Sequence, residues 1–324
     1  MRIDLKPPPW ATHFLSDRDD WNKRPVPIGD MKPFHLPDDV YFEYAYLDQD
    51  GTRRPDPENP NPILNPWWNF ASNLCGPDYR PDPLSRLSAV APAGQVVRLN
   101  LESNILGETR RLLIYSPPGM ARAPLPHILF QDGKAYFGWG KVPQVLDRMM
   151  ASALVGPAHL IFVPPKQRTV EYAFNPLYRR FLMEELLPFV ESRVPCDGRR
   201  AAWGASLGGL LSAQLAWEYP DQFQKVVCQS GAFLFSEDMD LKNPFAGNES
   251  FRRVVQSTPA KNIQWHLDCG TLEWLWESNQ RLAEALVGEG MSVQFLKRNA
   301  GHNWINWRNG LSRAMEFVLK DWQQ

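Results

Sequence analysis

The sequence predicts an α/β fold: a mainly parallel sheet with helices on both faces, preceded by a small β-rich N-terminal domain. Three observations lead there. From Gln95 onward, short apolar runs rich in strand formers alternate with helical patterns, and that alternation builds a parallel sheet covered on both sides. Upstream, residues 1–92 hold more than half of the 30 prolines, a density that excludes long helices and favours extended backbone. Between the two, the 324 residues and 44% apolar content suffice for one large domain and a smaller companion.

The N-terminal stretch reads as repeated turns, such as Arg54-Pro55-Asp56-Pro57-Glu58-Asn59-Pro60-Asn61-Pro62, around one good strand over Val40–Asp48 with Gly51 as a turn. It is a small β domain or a strap-like extension. Trp67, Trp68 and Phe70 either pack it down or line a ligand cleft. The second region, 93–324, begins with a hairpin, Val96–Ser103 and Thr109–Ser116, around Gly107. Pro126–Gln131 is a strand ending in Asp132-Gly133, Pro143–Leu154 a helix, and His159–Val163 a buried strand. Phe174–Val194 carries a long amphipathic pattern with Phe181, Leu182, Leu186 and Leu187 on one face. Arg200–Trp203, Lys225–Gln229, Ile263–Leu267 and Val293–Leu296 supply the remaining strands.

The chain turns on Gly204-Ala205-Ser206-Leu207-Gly208, a G-x-S-x-G between a strand and a helical run. That context defines the nucleophile elbow of the α/β-hydrolase fold. Side chains two residues either side of the serine would collide, hence the glycines. At the helix start the Leu207 N–H can point at an oxyanion, where the helix dipole favours negative charge. In this fold the nucleophile follows the fifth strand, the acid the seventh and the histidine the eighth. Counting the hairpin as strands one and two, Ser206 follows the fifth.

A serine hydroxyl needs a base, and the base needs a carboxylate to hold its tautomer. His302, in Ala300-Gly301-His302-Asn303-Trp304, is the histidine that follows the last strand, whereas His266 sits mid-strand and reads as structural. Three acids follow the seventh strand: Asp268 at its end, Glu273 past the Gly270-Thr271-Leu272 turn, and Glu277 one helical turn further. The second oxyanion donor belongs to the loop after the third strand, where Gly133 permits close approach and Lys134 N–H is the candidate. Asp132 either contacts a substrate hydroxyl or stabilises that loop. Trp139, Trp274, Trp276, Trp304 and Trp307 lie in or beside these loops, and Trp139 and Trp304 are expected to wall the substrate cleft.

These segments resemble the esterase D family, and more closely its enterochelin (siderophore) esterase-like branch. The resemblance rests on Ser116-Pro117-Pro118-Gly119, Phe130-Gln131-Asp132-Gly133, Arg168-Thr169-Val170-Glu171-Tyr172, Glu184-Glu185-Leu186-Leu187-Pro188-Phe189, Gly204–Gly209 and Gly301-His302-Asn303-Trp304. It implies Ser206 as nucleophile, His302 as base and Glu273 as acid. It also implies an early-set (Ig-like) N-terminal domain from Leu36–Tyr44 with Pro55-Asp56-Pro57, and Arg168 as a basic contact for a catecholate ester. The expected function is ester hydrolysis through an acyl-serine, on aromatic, sugar or siderophore-like esters. Acyl transfer on the same site, a peptidase and a non-catalytic binding protein are the alternatives.

Composition bounds the rest. A net charge of −1 argues against a nucleic-acid or anionic-membrane surface. Cys75, Cys196, Cys228 and Cys269 form no disulfide framework, and with no clustered histidines they suggest no metal site. No phosphate loop or dinucleotide fingerprint is present, so no cofactor is expected. The N-terminus lacks the apolar core of a signal peptide and no run is long enough to span a bilayer. The expectation is a cytoplasmic enzyme with a small-molecule ester as partner, possible as a homo-oligomer.

Overall fold

A computed structural model describes residues 1–19, 21, 24–87, 90–238 and 248–322. The chain forms two compact units. The first comprises Met1–Pro81 together with Cys269–Trp276 and Lys297–Asn309; the second holds Asp82–Asp268, Glu277–Leu296 and Gly310–Gln324.

In the second unit the strands are β1 (Gln95–Ser103), β2 (Glu108–Ser116), β3 (Leu125–Gln131), β4 (His159–Val163), β5 (Cys196–Ala205), β6 (Lys225–Gln229), β7 (Gln264–Gly270) and β8 (Ser292–Arg298). Among the described residues they make one eight-stranded sheet in the order β8-β7-β6-β5-β3-β4-β2-β1. β1 pairs antiparallel with β2, and β2 with β4. The β4–β3, β3–β5, β5–β6 and β6–β7 pairs are parallel. This is the α/β-hydrolase sheet anticipated from the alternation of strands and helices. The parallel strands are covered on both faces: every residue of β4 and β6 is buried. Its centre is aromatic, with Phe130 stacked on Phe162 at 5.0 Å and Trp203 5.0 Å from Phe130.

The expected amphipathic helix over 174–194 spans Pro176–Glu191, with one wide turn at Phe181–Leu186. Pro188 lacks the N–H that would close a regular turn on the preceding residues, a common cause of such irregularities. Asn175 starts the helix by accepting from the N–H groups of Leu177 and Tyr178 at 2.9 and 3.1 Å. No helix among the described residues is long and apolar enough to cross a membrane.

The first unit is built on Tyr41–Leu47, the strand anticipated at 40–48. It pairs antiparallel with His13–Ser16, Arg53–Arg54 and Ser72–Cys75, and Val26–Pro27 extends the sheet beyond His13–Ser16. Phe14, Leu36, Val40, Phe42, Tyr44 and Tyr46 form its main core. Trp68 and Phe70 pack on Trp21, with ring centroids at 4.7 and 6.0 Å. Trp67 packs on Trp304 and Trp307 at 5.2 and 5.6 Å.

Candidate active site

Ser206 sits between β5 and the helix Leu207–Glu218 with φ 55° and ψ −123°. Such backbone costs a non-glycine residue about 1–3 kcal/mol and persists only where its surroundings enforce it. Here they do. Ser206 N–H donates to Gln229 O at 2.9 Å, and Ser206 O accepts from Leu210 and Ala232 N–H at 3.1 and 3.0 Å. A Cβ on Gly204 would lie 2.2 Å from Gly208 C, so that crossing demands glycine. Leu207 is the first residue of the helix, where backbone N–H groups have no intrahelical partner and the dipole is positive.

Beside the elbow, β3 ends in Asp132, which takes left-handed backbone (φ 54°) at the start of the short helix Gly133–Gly138. A Cβ on Gly133 would meet Val163 N at 2.3 Å, so glycine is required there too. Asp132 N–H donates to Tyr172 Oη at 2.8 Å. Its two carboxylate oxygens accept from Arg168 Nε and Nη2, both at 2.7 Å, and Nη2 also donates to Ala205 O at 3.1 Å. Arg168 thus ties the Asp132 loop to the residue before the serine. Two of the Arg168 nitrogens are engaged by Asp132 in a bidentate pair, while its side chain stays about a third exposed. The same pair holds Asp132 to its own loop, the contact that a loop-stabilising role requires. Lys134 is exposed on the first turn of the short helix, and Trp139 at its end is 46% exposed.

The histidine and acid lie in the first unit. Past β7, Glu273 folds back so that Oε1 accepts from Gly270 N–H at 2.6 Å and Asn306 Nδ2 at 3.2 Å. Glu273 Oε2 lies 2.7 Å from His302 Nδ1. A carboxylate only accepts, so this pair fixes the proton on Nδ1 and leaves Nε2 as the basic nitrogen. The Glu273 side chain is fully buried and His302 is 17% exposed. Trp307 and Trp274 flank the imidazole at 5.0 and 5.6 Å.

The other two acids are otherwise engaged. Asp268 is buried, taking a hydrogen bond from Gln229 Nε2 at 3.0 Å and lying 3.5 Å from His266 Nε2. Glu277 is 80% exposed and pairs with Arg281. Trp304 departs from expectation. It is 1% exposed, held between Trp67 and Trp307, because the first turn of the helix Trp304–Asn309 faces the core. Sequence reading also missed Tyr172, Asn306 and Asp17, whose contacts join residues far apart in the chain.

Among the described residues, His127, Glu191 and Cys196 come close enough to share a metal ion. Arg200 already holds Glu191 there, and a fixed guanidinium charge opposes a cation, so these residues do not argue for one.

A family model described as "Putative esterase" matches residues 103–318. The chain is 25% identical over 245 residues to the iron(III) enterobactin esterase of Dickeya dadantii, covering 70% of this chain and 55% of that enzyme. It therefore spans little more than half the length of that curated relative. The ferric enterobactin esterase structure from Salmonella typhimurium superposes with a TM-score of 0.77 at 19% identity, covering 96% of this chain and 89% of that one. A ferulic acid esterase superposes with a TM-score of 0.62 at 22% identity, covering 71% and 99%. With the family model spanning two thirds of its length around a strained serine elbow, the chain belongs to the esterase family that this model describes.

Proposed function

We propose that the chain is a serine carboxylic ester hydrolase with Ser206, His302 and Glu273 as its triad. The observation that carries this is the carboxylate–imidazole pair, Glu273 Oε2 to His302 Nδ1 at 2.7 Å, in a chain whose strained G-x-S-x-G serine precedes both. Their order is serine, acid, histidine, as this fold uses them.

In this reading His302 Nε2 takes the Ser206 hydroxyl proton as Oγ attacks the ester carbonyl. The tetrahedral oxyanion is met by the N–H groups of Leu207 and Lys134, and removing one such donor typically costs about 10²–10³ in kcat. The imidazolium, steadied by Glu273, returns the proton to the leaving alcohol. Water then repeats the sequence on the acyl-serine and releases the acid. Arg168 acts upstream of the chemistry by holding the Asp132 loop that carries the Lys134 N–H.

The substrate class we assign is an ester of an aromatic acid, catecholates included. It is supported by relatives named for enterobactin and ferulic acid and by the exposed indole of Trp139, a flat apolar surface for a ring. A fluorophosphonate probe tests the reaction class: it should label the wild type at Ser206 and leave Ser206→Ala unlabelled. An unlabelled wild type refutes the reading. A panel of feruloyl, dihydroxybenzoyl and straight-chain acyl esters tests the substrate class, and a higher kcat/KM on the straight chains refutes it.

A further inference from the structure

The groups that aim the histidine do not end at Glu273. Asp17, on the turn after the strand His13–Ser16, is buried directly behind the histidine loop. Its Oδ1 accepts from Trp21 Nε1 at 3.0 Å, and its Oδ2 from Glu43 N–H at 2.8 Å and Asn303 Nδ2 at 3.3 Å. Asn303 in turn accepts from Asn306 N–H at 2.9 Å, and Asn306 donates to both Glu273 Oε1 and Gly301 O. The contact is also steric. A Cβ on Gly301 would lie 2.0 Å from Asp17 Cγ, so the residue before His302 can only be glycine while Asp17 is in place. On its far side the loop is clamped to the same β unit by Tyr41 N–H, which donates to Asn299 O at 2.9 Å.

We infer that Asp17 is a positioning residue for ester hydrolysis: the N-terminal β unit uses it to seat the Gly301–Asn303 turn and so to aim His302. The inference rests on the triad reading above. Three donors converge on two carboxylate oxygens with no acceptor among them, an arrangement the ionised carboxylate satisfies in full. Asparagine at this position turns an NH₂ toward at least one of those donors. With the amide oxygen toward Trp21 the NH₂ faces Glu43 N–H and Asn303 Nδ2. With the oxygen toward Asn303 the NH₂ meets Trp21 Nε1 and is pushed aside together with the oxygen that holds Asn303. Both orientations therefore disturb the first contact on the hydrogen-bonded path Asp17–Asn303–Asn306–Glu273. Displacement along that path moves the imidazole relative to its acid, and an error of about 1 Å in such a group is enough to cost on the order of 10² in rate.

The experiment compares wild type, Asp17→Asn and Leu36→Ala, assayed well below their melting temperatures. Leu36 lies in the core of the same β unit, with its backbone groups bonded to Met1 and not to the histidine loop, so its truncation serves as the control for lost stability. Fluorophosphonate labelling of Ser206 is measured alongside kcat and KM on a p-nitrophenyl ester. The expected result is that Asp17→Asn lowers kcat and the labelling rate 10- to 100-fold with KM within about threefold. Leu36→Ala should lose a comparable melting temperature and keep its kcat. Asp17→Asn with kcat within twofold of wild type overturns the inference, and so does an equal kcat loss in Leu36→Ala. Both outcomes leave the triad reading standing if wild type labels normally. A wild type that takes no label overturns the triad reading and this inference with it.

Discussion

Glu273→Gln is the sharpest perturbation of the site because the amide has no good orientation. Glu273 accepts from Gly270 N–H and Asn306 Nδ2 on Oε1 and from the His302 Nδ1 proton on Oε2. If the glutamine oxygen stays on Gly270 N–H and Asn306 Nδ2, its NH₂ faces Nδ1, which must then accept. The imidazole proton moves to Nε2, and the nitrogen meant to deprotonate Ser206 is blocked. If the amide flips, NH₂ faces two buried donors, each left unsatisfied at about 1–3 kcal/mol, or about 2–6 kcal/mol together. The unproductive orientation therefore wins by a few kcal/mol. At about 1.4 kcal/mol per tenfold, kcat should fall roughly 10²–10⁴-fold with the fold intact. Steady-state turnover of a p-nitrophenyl ester, beside a thermal melt, reads this directly. Turnover within tenfold of wild type refutes the role of Glu273. A silent Glu273→Gln with a damaging Asp268→Asn moves the acid to the end of β7.

Ser206→Ala should lower turnover by about 10⁴ or more, and a residual activity within tenfold of wild type in the ester assay removes the nucleophile. Trp139→Ala should raise KM for aromatic esters more than it lowers kcat, whereas Trp304→Ala should cost about 3–5 kcal/mol in urea unfolding; a silent Trp304→Ala in that titration contradicts its burial. Arg168→Ala should release the Asp132 loop and lower kcat about 10–100-fold, and a change confined to KM would return Arg168 to the substrate. Asp17 and Glu43 have their carboxyl pKa values raised, chiefly by burial, Glu43 to about 8. A carboxyl that holds its proton more tightly when folded stabilises fully below its unfolded pKa and loses that contribution as pH rises through the folded value. The midpoint of urea unfolding should therefore fall between about pH 4 and 8, and Glu43→Gln should flatten the decline; an unchanged slope refutes it.

The sheet was legible because its strands obey local rules. β4 and β6 are short runs with apolar centres, Leu160–Val163 and Val226–Cys228, and both lie where the sequence reading places them. The serine elbow was legible because its glycines are adjacent in the chain to the strain they permit. The sequence left three acids open because what separates Glu273 from Asp268 and Glu277 is a side-chain matter: where each carboxylate finds donors. Trp304 was misplaced because an indole in a site loop reads the same whether it faces solvent or Trp67, some 240 positions away in sequence. The pairing of Arg168 with Asp132 had no sequence signal because folding brings the two together across 36 residues. Asp17 gave no signal at all. Nothing around it differs from a surface turn until Gly301 arrives beneath it.

That arrival has a consequence for how the protein is made. The hydrogen bond between Asp17 and Asn303 spans 286 residues, and the first compact unit draws on stretches as far along as 269–276 and 297–309. During synthesis the N-terminal strands leave the ribosome first, at about 5–20 residues per second. Their partners follow on the order of tens of seconds later. Until then Asp17 and Glu43 have no histidine loop beside them, and Tyr41, which bridges to residues 299–300, has no partner there. Contacts of such long sequence separation form late. A ribosome stalled before residue 297 would therefore hold a nascent chain with its serine elbow complete and its N-terminal unit unfinished, a species prone to capture by chaperones.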